Sequence, residues 1–135
     1  MKPMKILLIA SIILFVLSLT QKTYCLDGIC EARGILNLLI GWMGVLYTKG
    51  GSSAWLANPF LIVSWFFLIN KPKLAFLLSA LAFFFALRFY FQDTLIKNEA
   101  GIIGKITNYK AGYWLWLSST VVMMLASIFS ILKIR

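Results

Sequence analysis

The sequence predicts an all-α integral membrane protein, an antiparallel bundle of four transmembrane helices plus a short re-entrant or interfacial helix. Three observations carry this. Of 135 residues 61% are hydrophobic, and they fall in helix-length runs. Only four residues are acidic, Asp27, Glu31, Asp93 and Glu99, and none lies inside a run long enough to cross a bilayer. The 13 basic residues sit singly or in pairs near the ends of the apolar runs, where long cationic side chains reach headgroup phosphates. At this length residues 1–135 make one domain, since a second core has no room.

The first run, Ile6 to Leu19, follows Lys2 and Lys5 and precedes Gln21 and Lys22. It has the length of a signal-peptide core, but Ser18-Leu19-Thr20-Gln21-Lys22 is a poor small-x-small cleavage site, and Lys22-Thr23-Tyr24 before Cys25 does not suit lipoprotein processing. An uncleaved signal-anchor helix with a cytoplasmic N-terminus is expected. The next run, Ile35 to Tyr47, is 13 residues and reaches about 20 Å, short of a roughly 30 Å hydrocarbon core. Asn37, Gly41 and Gly44 suit a re-entrant or interfacial piece packed on other helices, and Lys49-Gly50-Gly51-Ser52-Ser53 ends it. Trp55 to Ile69 forms the second span, with Pro59 near its first turn, where the missing N–H does least harm. Lys71-Pro72-Lys73 is a tight turn, Leu74 to Phe91 the third span and Tyr113 to Leu132 the last, closed by Lys133 and Arg135. Aromatic side chains, Trp55, Tyr90, Tyr109, Tyr113, Trp114 and Trp116, gather near the span ends, where amphipathic rings anchor.

With four spans, Lys2, Lys5, Lys71, Lys73, Lys133 and Arg135 face the cytoplasm with no acid among them, while seven cations and all four acids lie outside. In a five-span alternative the connection from Gln92 to Gly112 moves inside. The positive-inside rule counts six cations against seven and does not separate the two. The short run 35–47 and the compact Lys-Pro-Lys turn favour four spans.

Helices in lipid associate through small residues and occasional hydrogen bonds. Ala75, Ser79, Ala82 and Ala86 are spaced four, three and four, which places them on one stripe. Ser119, Met123, Ala126 and Ser130 repeat the pattern, and the first span offers Ser11 and Ser18. These are the expected packing faces.

Chemistry is sparse. With no histidine, no intramembrane carboxylate and no base beside any serine, the pattern supplies no catalytic set, and no metal or cofactor is expected. The basic residues form no aromatic-interleaved face, so nucleic acid is not expected either. Cys25 and Cys30 flank an Asp27-Gly28 turn outside the cytoplasm, and a structural disulfide is expected, with two free thiols as the alternative. Arg88, the one charge within a clear span, points away from the Ala75–Ala86 stripe, toward headgroups or Asp93. The connection 92–112 is expected as a long loop, and Glu31, Arg33, Trp42, Arg88, Asp93, Glu99 and Lys105 are the candidates for an outer recognition cap.

The expectation is therefore a small, multi-pass bacterial inner-membrane protein, non-catalytic, that meets the lipid bilayer and either a larger membrane or periplasmic protein or further copies of itself. An accessory or immunity-type role is the leading reading. The alternatives are an oligomeric channel or carrier lined by Ser79, Ser118, Ser119 and Asn37, and a subunit binding lipid or a small ligand near Arg88.

Overall fold

The computed structural model describes residues 2–40, 42, 53–92, 94–96 and 103–134. Helix α1 (Lys2–Thr20) leads into strands β1 (Lys22–Leu26) and β2 (Ile29–Arg33), then helix α2 (Gly34–Ile40). A single 3₁₀ turn, Ser53–Leu56, opens helix α3 (Ala57–Phe67). Helix α4 (Pro72–Tyr90), strands β3 (Thr94–Ile96) and β4 (Ile103–Tyr109) and helix α5 (Ala111–Ile134) complete the chain. Pro72 opens α4, where its fixed φ suits the first turn and its missing N–H costs nothing.

Helices α1, α3, α4 and α5 pack as an antiparallel bundle. The Ser11 hydroxyl of α1 donates to the Ser119 carbonyl of α5 (2.8 Å), and the Trp65 indole of α3 donates to Ser11 Oγ (3.1 Å). Trp116 Nε1 of α5 donates to Asn58 Oδ1 of α3 (2.8 Å), and Ser130 Oγ donates to the Leu68 carbonyl beyond α3 (3.0 Å). Around these bonds Met4, Phe15, Leu61, Leu68, Ala75, Ala82, Ala86, Met123 and Ala126 form the main core. The two small-residue stripes lie at its centre: all eight of their residues are buried. Small side chains there let helix backbones approach closely, which is the main source of cohesion where lipid gives no hydrophobic drive.

Among the described residues three helices are long and apolar enough to cross a membrane, at Pro3–Thr20, Pro72–Tyr90 and Ala111–Leu132. Helix α3 with its 3₁₀ lead-in reaches about 24 Å and falls short by that measure. The four-membered bundle is thus built on three long helices and one short one.

The all-α expectation is corrected by a small antiparallel sheet of order β2-β1-β4-β3. The stretch 92–112, expected as a loop, supplies two of its strands, and the stretch after α1 supplies the other two. The residues explain this: Thr23, Thr94, Ile96, Ile103, Ile106 and Thr107 are β-branched and suit a pleated surface. Backbone N–H and C=O groups leaving a helix end also need partners, and a ladder provides them. Pairing of Tyr24 with Tyr109 and of Cys25 with Asn108 joins β1 to β4, so the connections after α1 and before α5 lie at the same end of the bundle. The opposite end holds the N-terminus of α1, the turn into α4 and the C-terminus of α5.

The predicted re-entrant piece 35–47 begins within helix α2, Gly34–Ile40; Gly41, Gly44 and the Lys49–Ser52 interruption lie outside the described residues.

Candidate functional site

The sheet end is where the chain concentrates its polar chemistry. Asp27 and Gly28 both adopt positive φ, 51° and 81°, the signature of a two-residue type I′ hairpin turn, which Asp-Gly favours. Cys25 and Cys30, one position behind this turn on facing strands, form a disulfide, with Cys25 fully buried. β4 is then tied to the hairpin by four hydrogen bonds. Asp27 N–H donates to the Lys105 carbonyl (2.8 Å), while Lys105 N–H donates to Asp27 Oδ1 (3.0 Å). Thr107 completes the set: its hydroxyl donates to the Cys25 carbonyl (3.3 Å) and accepts from Gly28 N–H (3.1 Å). The hairpin is therefore held both covalently and by two residues about 80 positions away.

Beneath the sheet lies a layer of rings. Tyr24 of β1 meets Phe89 of α4 at 5.3 Å between ring centres, and Phe89 meets Tyr109 (5.8 Å) and Tyr113 (5.9 Å). Tyr109 and Tyr113 are 4.9 Å apart. With Ala54 and Ile106 these rings form a second core between sheet and helices. Two hydroxyls in it bond to backbone carbonyls at the end of α4. Tyr113 donates to the Ala86 carbonyl (2.9 Å); Tyr109 Oη lies 2.7, 3.0 and 3.2 Å from the carbonyls of Phe89, Tyr90 and Gln92 and shares its one proton among them. Burial pushes the Tyr24 hydroxyl up to about 12.

The candidate cap residues are not all brought together. Lys105 is exposed on β4, and Thr107 and Asn108 are exposed beside it. Glu31 belongs to the edge strand β2, and Arg33 is exposed at the end of that strand. Trp42 is exposed beyond α2. Arg88 is exposed in the last turn of α4 with its guanidinium 6.0 Å from the centre of the Phe84 ring, one turn back. A cation there also complements the negative end of the helix dipole. Asp93 and Glu99 lie outside the described residues.

The residues suggested as a hydrophilic lining are dispersed. Ser79 and Ser119 are buried, and their hydroxyls donate back to the carbonyls of Phe76 and Trp116 in their own helices. Ser118 is exposed, and Asn37 donates to Thr23 Oγ1 at the level of the sheet (2.7 Å). Among the described residues every buried side-chain nitrogen or oxygen has a hydrogen-bond partner, and no group of three His, Cys, Asp or Glu is placed to hold a metal.

Sequence reasoning did not single out Tyr24, Thr107, Tyr109 or Tyr113 as the residues that weld cap to bundle. Asp-Gly between short alternating segments was the available signal for the hairpin. Nothing local identifies a tyrosine as the cap of a distant helix. No protein-family model, curated protein or solved structure matches this chain.

Proposed function

We propose that this chain is a non-catalytic, multi-pass protein of a bacterial cytoplasmic membrane that presents its sheet cap, on the side away from the cytoplasm, to a larger membrane or periplasmic protein. An accessory or immunity-type role fits this reading. The observation that carries it is the cap itself. Two segments some 80 residues apart are knit into one sheet, closed by a disulfide and mounted on the bundle through a layer of rings. The bundle's polar side chains meanwhile bond to one another or to their own helices. A rigid extramembrane surface on a self-satisfied membrane body suits recognition better than chemistry or conduction.

Sidedness follows from two arguments. Disulfides persist in oxidising compartments, which favours the sheet end outside. Among the described residues the opposite end carries Lys2, Lys5, Lys71, Lys73 and Lys133 and no acid, as cytoplasmic loops do. On this reading α3 is the fourth span. Its roughly 6 Å deficit against a 30 Å core is met by local thinning of the bilayer, at fractions of a kcal/mol per Å.

The test is purification in gentle detergent from the native membrane, followed by mass spectrometry. A stoichiometric protein partner is expected with the parent chain and with Lys73→Ala at the far end. It is lost with Ile29→Ser and Lys105→Ala, both exposed on the cap. Recovery of the chain alone, or retention of the same partner by the cap variants, would overturn the proposal.

A further inference from the structure

Helix α2 carries an apolar face that none of the described residues covers. Ile35, Leu36 and Leu39, with Trp42 just beyond, recur at three- and four-residue intervals and are all exposed, Leu39 to 61%. On the other side of the helix Leu38 packs against the main core, and Asn37 bonds to Thr23 of β1. The helix is therefore amphipathic in an unusual sense, anchored by one side and bare on the other.

Its depth is fixed at both ends. Gly34 N–H donates to the Gln21 carbonyl (3.0 Å), and the start of α2 presses on the last turn of α1 so closely that a Cβ at Gly34 would run into the Ser18 carbonyl oxygen and lie 2.8 Å from Leu19 Cα. Toward the other end, the Trp55 indole in the lead-in to α3 donates to the Leu38 carbonyl (3.0 Å). α2 thus sits at the level where α1 ends and α3 begins, the boundary between hydrocarbon and headgroups for helices of this length. The exposed residues of α1, Ile9, Ile13, Val16 and Leu17, lead up to that same level.

Two cations stand at the base of the hairpin at this depth. Lys22, first residue of β1, and Arg33, last of β2, are direct Cα partners across the strand pair, and both are exposed. Like charges facing each other across a ladder repel. An anion between them removes the repulsion. Of the hairpin's two acids Asp27 lies at the tip, five residues or roughly 16 Å from Lys22, and Glu31 lies two residues before Arg33, so the base carries two cations against one acid.

We propose that Lys22, Arg33 and the bare face of α2 form a binding site for an anionic phospholipid in the leaflet nearest the sheet. The two cations take its phosphodiester, and its acyl chains lie along Ile35, Leu36 and Leu39. Trp42 occupies the headgroup boundary, as amphipathic rings do. The lipid then acts as a wedge that seats the hairpin base on the membrane and sets the height of the cap. This is independent of what the cap recognises.

The test uses the whole chain, with its disulfide intact, in vesicles of phosphatidylcholine with and without phosphatidylglycerol. A bimane attached through Leu39→Cys is expected to emit in the blue and to be quenched by lipids brominated on their acyl chains. Spin-labelled phosphatidylglycerol is expected to be enriched around the protein over phosphatidylcholine. Each cation near an anionic surface is worth roughly fivefold in affinity, so K22Q/R33Q should cut the enrichment at least fivefold. The near-UV circular dichroism of the ring layer checks that this variant stays folded. An unquenched, water-exposed bimane would overturn the proposal and leave α2 to a protein partner. Equal enrichment in the parent and in K22Q/R33Q would overturn it too, by showing that the preference arises elsewhere on the chain.

Discussion

Single atoms decide two features of this molecule. At Gly34 the missing side chain lets α2 start against the backbone of α1, and no rotamer change makes room for a methyl where the obstacle is a carbonyl oxygen and a Cα. Gly34→Ala is therefore expected to destabilise the protein by about 2–3 kcal/mol. Gly28→Ala, where φ is positive but the space is open, should cost only about 1 kcal/mol. Thermal unfolding in detergent ranks the two, and a smaller loss at Gly34 would contradict the close approach. The second feature is Tyr24. Its hydroxyl titrates near 12 in the folded chain, above the ordinary value near 10, because burial disfavours the phenolate. A raised folded pKa means the folded state holds the proton more tightly. The contribution is thus complete below pH 10 and is lost as pH climbs through 12, on the order of 2 kcal/mol. Absorbance at the tyrosinate band should show a late-titrating component that Tyr24→Phe removes, together with a shallower alkaline loss of stability.

At the scale of elements, the hairpin and the end of α4 carry separable contributions. Opening the Cys25–Cys30 bridge frees a loop of only six residues, so chain entropy sets the loss at about 2 kcal/mol, and C25A/C30A should still fold. Its melting temperature, compared with that of the parent chain in reductant, checks this. Tyr109→Phe removes the hydroxyl shared by three carbonyls and should cost about 1 kcal/mol, with the loss appearing as faster amide exchange after Tyr90. The elements also show what a sequence reveals. The stripes Ala75–Ala86 and Ser119–Ser130 were readable because helical periodicity is local and repeats over several turns. The hairpin was half readable: Asp27-Gly28 announces a turn, but five-residue strands beside a long apolar helix give too few alternations to identify. The stretch 92–112 reads as a loop because β3 and β4 acquire their meaning only from pairing, and β4 pairs with β1, which is about 80 residues away. Charged side chains in the connecting stretches mark a candidate cap, and that signal misses the tyrosines whose contribution is to hold the surface in place.

For the molecule as a whole, the β1–β4 ladder is the fact with the widest reach. On the membrane-spanning reading proposed above, strands that exchange backbone hydrogen bonds lie on one side of the bilayer, so the pairing of Cys25 with Asn108 favours four spans over a topology that puts 21–34 outside and 92–112 inside. Antiparallel packing of α4 on α5, fixed by Tyr113 reaching the Ala86 carbonyl, carries the same message from the helices: the end of one and the start of the other are at one level. The turn at Lys71-Pro72-Lys73 is then at the far end, one length of α4 away, about 28 Å along the helix. Single cysteines placed in the C25A/C30A background test this directly in intact cells. Lys22→Cys and Lys105→Cys should both react with a membrane-impermeant maleimide, and Lys73→Cys should react only after permeabilisation. Labelling of Lys22→Cys and Lys105→Cys from opposite sides would break the sheet, and with it the cap on which the recognition role depends. Labelling of both from the cytoplasm would keep the sheet but invert the protein, placing the disulfide in a reducing compartment where it would not persist.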